Sequence, residues 1–368
     1  MRSRRAAALA VGIAAAVLMV AGCGEGSGAA KASVSSSPSG NAARPAAAEL
    51  TATAEKTLHT EADALYGAAA KIPSFGKRRT SLIGVGDSEM SGEGLGHYAA
   101  GTDGPANYCH RSSSAAINHT GLDVDTVYDL ACSGATSADV RAGAKAQYAD
   151  QRPQAETLAI RARLTRVKAV ALMVGANDVN YGSVMADCVT RALRFKQPCQ
   201  KTYGPGWKAR VAAKMPSVAA SVRSIQKVMH DAGYLPGDYR LVVMSYPSPL
   251  GPGTHGSGTG CLAYSSDGKW ARDTADPVLS AGLRGVAQQT GAGFLDLSKA
   301  FLGHEACSTK PWVRGVQLEL KNRNSMAAGS YHPNATGHRM IARCLGAYFA
   351  AAKADGVCTA SGTAVRLS

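Results

Sequence analysis

Aromatic side chains are scarce: Phe, Trp and Tyr make up 6% of the 368 residues. A core with so few rings must pack aliphatic side chains, of which alanine is the most abundant. Acidic residues also run short, 26 against 40 basic ones, for a formal charge of +14. That balance points to anionic partners: nucleic acid, phospholipid head groups or an anionic wall polymer. Charged residues are only 18% and hydrophobic ones 45%, which excludes global disorder. None of the nine cysteines forms a C-x-x-C pair, which argues against a zinc site. No unit of about 20–50 residues repeats, so a solenoid or propeller is excluded. Beyond Gly22 no uncharged stretch is long enough to cross a bilayer.

What is present begins with an export signal. Arg2, Arg4 and Arg5 precede an uncharged, alanine-rich stretch over 6–22 that ends in small residues. Together they make 1–22 a signal peptide. Val20-Ala21-Gly22-Cys23 resembles a bacterial lipobox; the resemblance implies cleavage before Cys23 and a lipid on its sulfur. Ser3-Arg4-Arg5 is a weaker hint of twin-arginine export. The expected location is therefore the outer face of the bacterial cell membrane, anchored through Cys23 rather than threaded. Export removes nucleic acid from the expected partners, and a monomer is expected. It also turns the other eight cysteines into a disulfide framework. Eight cysteines allow 105 pairings. Pairing sequence neighbours gives Cys109–Cys132, Cys188–Cys199, Cys261–Cys307 and Cys344–Cys358. Each closure is worth about 2–4 kcal/mol, chiefly through the unfolded chain.

The stretch 23–45, rich in Ser, Gly, Ala and Pro, reads as a flexible tether. Over 46–79 a helical segment is expected. Leu58, Leu65 and Ile72 recur every seven residues with Ala62 and Ala69 between them, one apolar face ended by Pro73. From 80 to 368 strands and helices alternate within one domain. Short β-rich runs fall at 81–85, 124–130, 169–174, 241–245 and 294–297. Helical stretches fall near 153–164, 206–232, 272–290 and 334–353. Continuous apolar strands alternating with helices predict an α/β fold whose parallel sheet is covered on both faces.

In such sheets ligands bind beyond the carboxyl ends of the strands. Those ends carry Gly86-Asp87-Ser88, Gly134 and Gly175-Ala176-Asn177-Asp178, and His332-Pro333-Asn334 precedes the last helix. Each piece alone reads as turn chemistry or a helix cap. Together they fit acyl transfer. Ser88 at a strand-to-helix turn is a nucleophile, and His332 its base. The Ser88 and Gly134 amides and the neutral Asn177 side chain are donors for an oxyanion. Asp87, Asp178, His304 and the three tryptophans read as structural, and Glu93 as a cap of the helix after Ser88. His97, His110 and His119 fall in the loop after Ser88, where a surface position is expected and the wall of the substrate cleft is the alternative.

These blocks, in this order, resemble the SGNH hydrolases of the GDSL esterase/lipase family. Further segments resemble its disulfide-rich secreted bacterial branch: Ser91-Gly92-Glu93-Gly94, Cys109-His110-Arg111-Ser112, Ala131-Cys132-Ser133-Gly134-Ala135-Thr136 and Gly303-His304-Glu305-Ala306-Cys307. The resemblance runs from about Ser81 to Cys358. It implies a three-layer α/β/α sandwich of flavodoxin-like type with a five-stranded parallel sheet. It also implies hydrolysis of carboxylic esters, lipid or acylated glycan, with no cofactor or metal. Among the disulfides it supports Cys109–Cys132 most strongly. One position departs from the family. An Asp usually stands three residues before the histidine, and here that residue is Gly329. An imidazole still needs an acceptor at Nδ1, and the Gly329 carbonyl is the expected one, which makes a Ser-His dyad. A surface binding lipoprotein with lapsed chemistry is the alternative, and Gly329 is its main support.

Overall fold

All five β-rich runs become strands of one sheet. The computed structural model describes residues 44–69, 71–253, 262–317 and 329–368. Within them β1 (Thr80–Gly86), β2 (Thr126–Asp129), β3 (Arg166–Met173), β4 (Arg240–Met244) and β5 (Gly293–Lys299) pair in parallel in the order β2-β1-β3-β4-β5. Leu82, Ile83, Val170, Leu172, Val242, Val243 and Phe294 are wholly buried, as strands with helices on both faces require. The sheet is wider than expected, with seven strands rather than five. β6 (Asp355–Ser361) lies parallel to β5, and β7 (Ala364–Leu367) returns antiparallel through Gly362, at φ +60°. This hairpin escapes sequence reading because its residues are mostly half-buried and form no continuous apolar run.

The helices are α1 (Ala52–Tyr66), α2 (Ser88–Ser91), α3 (Ser137–Val140), α4 (Gln154–Leu164), α5 (Tyr181–Leu193), α6 (Gln200–Tyr203), α7 (Trp207–Asp231), α8 (Ser265–Trp270), α9 (Asp276–Thr290) and α10 (Ala335–Ala350). α4, α7 and α9 pack on one another on one face of the sheet, and α10 lies with the turn at Ala116–His119 on the other. α1 is shorter than the heptad spacing suggests. It ends at Tyr66 because Gly67, at φ +99°, takes the cap. Its Ala54, Leu58 and Ala62 pack on Ile160 and Leu164 of α4, and it belongs to the same compact unit, Arg44–Ser368, as the sheet.

Cys109–Cys132, Cys188–Cys199 and Cys344–Cys358 are bridged as expected. Cys261, the expected partner of Cys307, lies outside the described residues, as do the signal peptide, Cys23 and most of the tether. Among the described residues one cluster is dense enough in metal-ligand side chains to note, Cys188, Cys199 and Asp267. Both sulfurs are spent in the disulfide, and the Asp267 carboxylate accepts the Cys199 and Gln200 amides.

His338 of α10 is wholly enclosed, and its Nδ1 accepts the Ala116 amide at 3.1 Å. Burial lowers its pKa to about 3, with the nearby His332 and His119 acting the same way. The native state therefore holds it neutral, and stability present above the ordinary histidine pKa is lost as pH falls towards 3. His338→Gln keeps an acceptor but cannot charge. The gap in Tm between wild type and variant is expected to move against the wild type between pH 6.5 and pH 3, read by thermal melts across that window.

Candidate active site

The end of β1 sets the site. Gly86, at φ +144°, passes so close to the Met173 carbonyl of β3 that a Cβ there would collide with it. Only glycine fits. The crossing lets Asp87 donate its amide to Met173 O at 3.0 Å. Buried Gln154, at the start of α4, then clasps Gly86 twice: its Oε1 accepts the Gly86 amide at 2.7 Å, and its Nε2 donates to the Gly86 carbonyl at 2.8 Å. With the strand end fixed, Asp87 caps α2 by accepting the Glu89 amide, and Ser88 opens the helix.

Asp87 is a structural partner, as expected. Its Oδ2 accepts the Tyr246 hydroxyl at 2.6 Å, and the same hydroxyl oxygen accepts the Ala176 amide. Tyr246, at the end of β4, thus ties the Ser88 turn to the Asn177 loop. Burial pushes the Asp87 carboxyl up to about 7, against the pull of the Tyr246 hydrogen bond. Burial also raises Glu89 well above the carboxylate range, with the Asp87 charge adding to it, and it lifts Asp276 to about 7.

His332 Nε2 lies 2.7 Å from Ser88 Oγ. The imidazole is carried on an antiparallel rung: Arg314 donates to His332 O, Asn334 donates to Trp312 O, and Val313 faces Pro333. Among the described residues the carbonyl within hydrogen-bond reach of Nδ1 is that of Ser330, at 3.1 Å, and not that of Gly329 as expected. The cause is local. Tyr331 takes a left-handed φ of +60°, which swings the Ser330 peptide oxygen under the ring. The Gly329 carbonyl instead faces Gly94.

Gly134 and Asn177 share the Ser88 cleft. Gly134 sits at φ +79°, in a loop held by the Cys109–Cys132 bridge and by donation from Cys132 to Gly86 O and from Ser133 to Cys109 O. Among the described residues neither the Ser88 amide nor the Gly134 amide has a protein acceptor. Asn177 Nδ2 gives one hydrogen to Ala135 O at 2.9 Å, which aims the amide and leaves its second hydrogen over. Asp178 holds the loop by accepting from Ser137, as expected. Ser88, Gly134 and Asn177 thus line one cleft, each with a neutral N–H that no described protein acceptor takes up.

The cleft holds about 630 Å³, an ordinary ligand-pocket size. Sheet order separates its walls. The β2 side is polar, with Ser133, Gln147, Tyr148, Tyr108, Glu93 and His110. The β3–β4 side is mainly apolar, with Met185, Ala186 and Val189 of α5 beside Tyr246, Pro247 and Pro249, although Ser183 and Thr190 of α5 also face it. Glu93 does not cap α2. It is wholly buried and meets His110 Nδ1 at 2.6 Å, while Tyr98 stacks on the His110 ring at 4.4 Å. Burial would raise its pKa, but the His110 hydrogen bond and the His332 and His110 charges outweigh that and hold it low. His110 thus lines the cleft, whereas His304 is structural, stacked on Trp312. Gln154, Tyr246 and the Glu93–His110 pair are the site residues that sequence reasoning missed. Gln154 stands among Arg152, Glu156 and Thr157, so nothing in its sequence context marks it.

A family model described as GDSL-like Lipase/Acylhydrolase matches residues 85–340. A lipase of Streptomyces rimosus is 28% identical over 297 residues, which is 78% of this chain and 92% of that protein. Lipase 1 of Streptomyces coelicolor is 28% identical over 280 residues, 74% of this chain and 88% of its own. The crystal structure of the extracellular S. rimosus lipase superposes with a TM-score of 0.48 and 23% identity, covering 72% of this chain and 97% of that one.

Gln154→Leu keeps the volume but leaves the buried Gly86 amide without an acceptor, a cost of about 1–3 kcal/mol. The urea midpoint is expected to fall by the corresponding amount. Turnover of a soluble ester is expected to drop more than stability alone explains, because the Ser88 turn loses its clasp.

Proposed function

The chain belongs to the GDSL-like lipase/acylhydrolase family and is a serine ester hydrolase, and we propose that it works through a Ser88–His332 dyad on lipid esters at the outer face of the cell membrane. The observation that carries this reading is the 2.7 Å contact between His332 Nε2 and Ser88 Oγ, with Nδ1 on a peptide carbonyl. The Ser330 oxygen accepts the Nδ1 hydrogen and so leaves the Nε2 lone pair facing the serine.

The steps follow from that tautomer. His332 Nε2 takes the Ser88 proton as Oγ attacks the ester carbon. The Ser88 and Gly134 amides and Asn177 Nδ2 receive the oxyanion. Nε2–H then protonates the departing alcohol, leaving the acyl group on Ser88. A water loses its proton to Nε2, attacks the acyl carbon, and Ser88 is regenerated. A neutral carbonyl stabilises the imidazolium less than a carboxylate would, so the dyad leans more on its oxyanion donors.

The apolar α5 wall suits an acyl chain, and the polar β2 side suits the alcohol half of the ester. Relatives named lipase support a lipid substrate. Burial pushes the Asp87 carboxyl up to about 7 and Glu89 up as well, so the cleft carries less negative charge near neutrality than its residues suggest. Export and a lipid on Cys23 would place this cleft beside its substrate. A lapsed binding protein would have no use for the Ser88–His332 hydrogen bond.

Ser88→Ala and His332→Ala are each expected to lower kcat on p-nitrophenyl esters by at least about three powers of ten, and Asn177→Ala by about 10²–10³. A folded wild type that fails to turn over these esters and to react with a fluorophosphonate at Ser88 would defeat the reading. Met185→Trp fills the apolar side and is expected to shift preference towards short acyl chains, read from kcat/KM across a chain-length series.

A further inference from the structure

The largest exposed apolar side chain among the described residues is Phe195, at 92% exposure, with Leu193 two residues away at 55%. They form a turn just past the end of α5, the helix whose Val189 and Thr190 line the cleft. Isolated exposed leucines are ordinary, but this pair is presented rather than left over. Phe195 sits at a left-handed φ of +52°, unfavourable for a residue with a Cβ. The turn is held by donation from Arg194 to Thr190 O, from Phe195 to Ala192 O at 3.2 Å and from Lys196 to Arg191 O at 2.9 Å. The Cys188–Cys199 bridge closes its base. So an ordered loop holds a phenyl ring out in water.

The surrounding charge is mainly positive. Arg194, Lys196 and Lys201 are exposed and make no ion pair among the described residues, although Lys196 lies near enough to Asp187 to help lower its pKa. Arg191 alone is neutralised, by Asp187 at 2.6 Å. Apolar side chains rimmed by an excess of exposed cations match the two layers of an anionic membrane interface, acyl chains below and phosphate above.

The geometry points to the 193–196 turn as a membrane-docking point: Leu193 and Phe195 enter the acyl boundary of an anionic phospholipid surface, and Arg194, Lys196 and Lys201 engage its head groups. Docking there sets the α5 side of the cleft against the lipid. That last consequence rests on the lipid-ester reading above; the docking itself does not depend on the chemistry at Ser88.

Because Arg44–Ser368 is a compact unit, residues 24–368 secreted behind a cleaved leader give a soluble protein with no acyl anchor. Its sedimentation with vesicles of ether-linked phosphatidylcholine, with and without ether-linked phosphatidylglycerol, measures docking without hydrolysis. Binding is expected with phosphatidylglycerol at low salt and is expected to weaken at high salt. Leu193→Ser/Phe195→Ser and Arg194→Gln/Lys196→Gln are each expected to weaken it roughly tenfold or more. Both are expected to turn over a soluble p-nitrophenyl ester like the parent, which certifies their fold. Equal binding by Leu193→Ser/Phe195→Ser and the parent overturns the proposal in favour of simple charge attraction, to a wall polymer for example. A parent that cleaves soluble esters but ignores anionic vesicles overturns it outright. A parent that binds these vesicles through the turn yet cleaves nothing supports docking and defeats only the hydrolase mechanism.

Discussion

One backbone crossing governs the site. β1 is the strand from which Ser88 hangs, and its last residue can pass Met173 only because Gly86 has no side chain. Gln154 then supplies the hydrogen bonds that a neighbouring strand would have made. From this fixed point the other parts are measured off: Cys132 donates to Gly86 O and sets the Gly134 loop, and Asp87 and Tyr246 reach across to the Asn177 loop. The donors proposed for the oxyanion therefore come from three separate strand ends but share one reference. Preorganisation of this kind is what gives fixed dipoles their catalytic weight.

Electrostatics under the cleft follow burial more than residue count. Asp87 and Glu89 are pushed towards their neutral forms by enclosure, while Glu93 stays ionised because His110 lies against it. Burial thus lowers the negative charge that Asp87 and Glu89 bring to the cleft, while Glu93 keeps its own.

The legible residues were those whose chemistry is local. Gly86-Asp87-Ser88, Gly134, Asn177 and His332 each carry turn or donor chemistry in a short peptide, and the strands before them are continuous apolar runs. Gln154, Tyr246 and the Glu93–His110 pair act through partners 17 to 159 positions away, and no spacing rule reaches that far. α5 was hidden by Gly182 and by mixed polarity around Cys188. The β6–β7 hairpin was hidden by its half-buried residues. The Gly329 expectation missed by one peptide because it carried the family's aspartate position over to the main chain, whereas the left-handed Tyr331 brings the Ser330 carbonyl to the ring.

That last difference bears on how the protein can change over generations. An orienting aspartate is encoded by a codon and can be lost to a single nucleotide change. The oxygen under His332 Nδ1 belongs to the peptide bond of Ser330, and every residue type at that position supplies one. Drift at 329 and 330 is therefore tolerated as far as the imidazole is concerned. The exposed target moves to position 331, where a β-branched residue or proline would resist the positive φ and turn the carbonyl away.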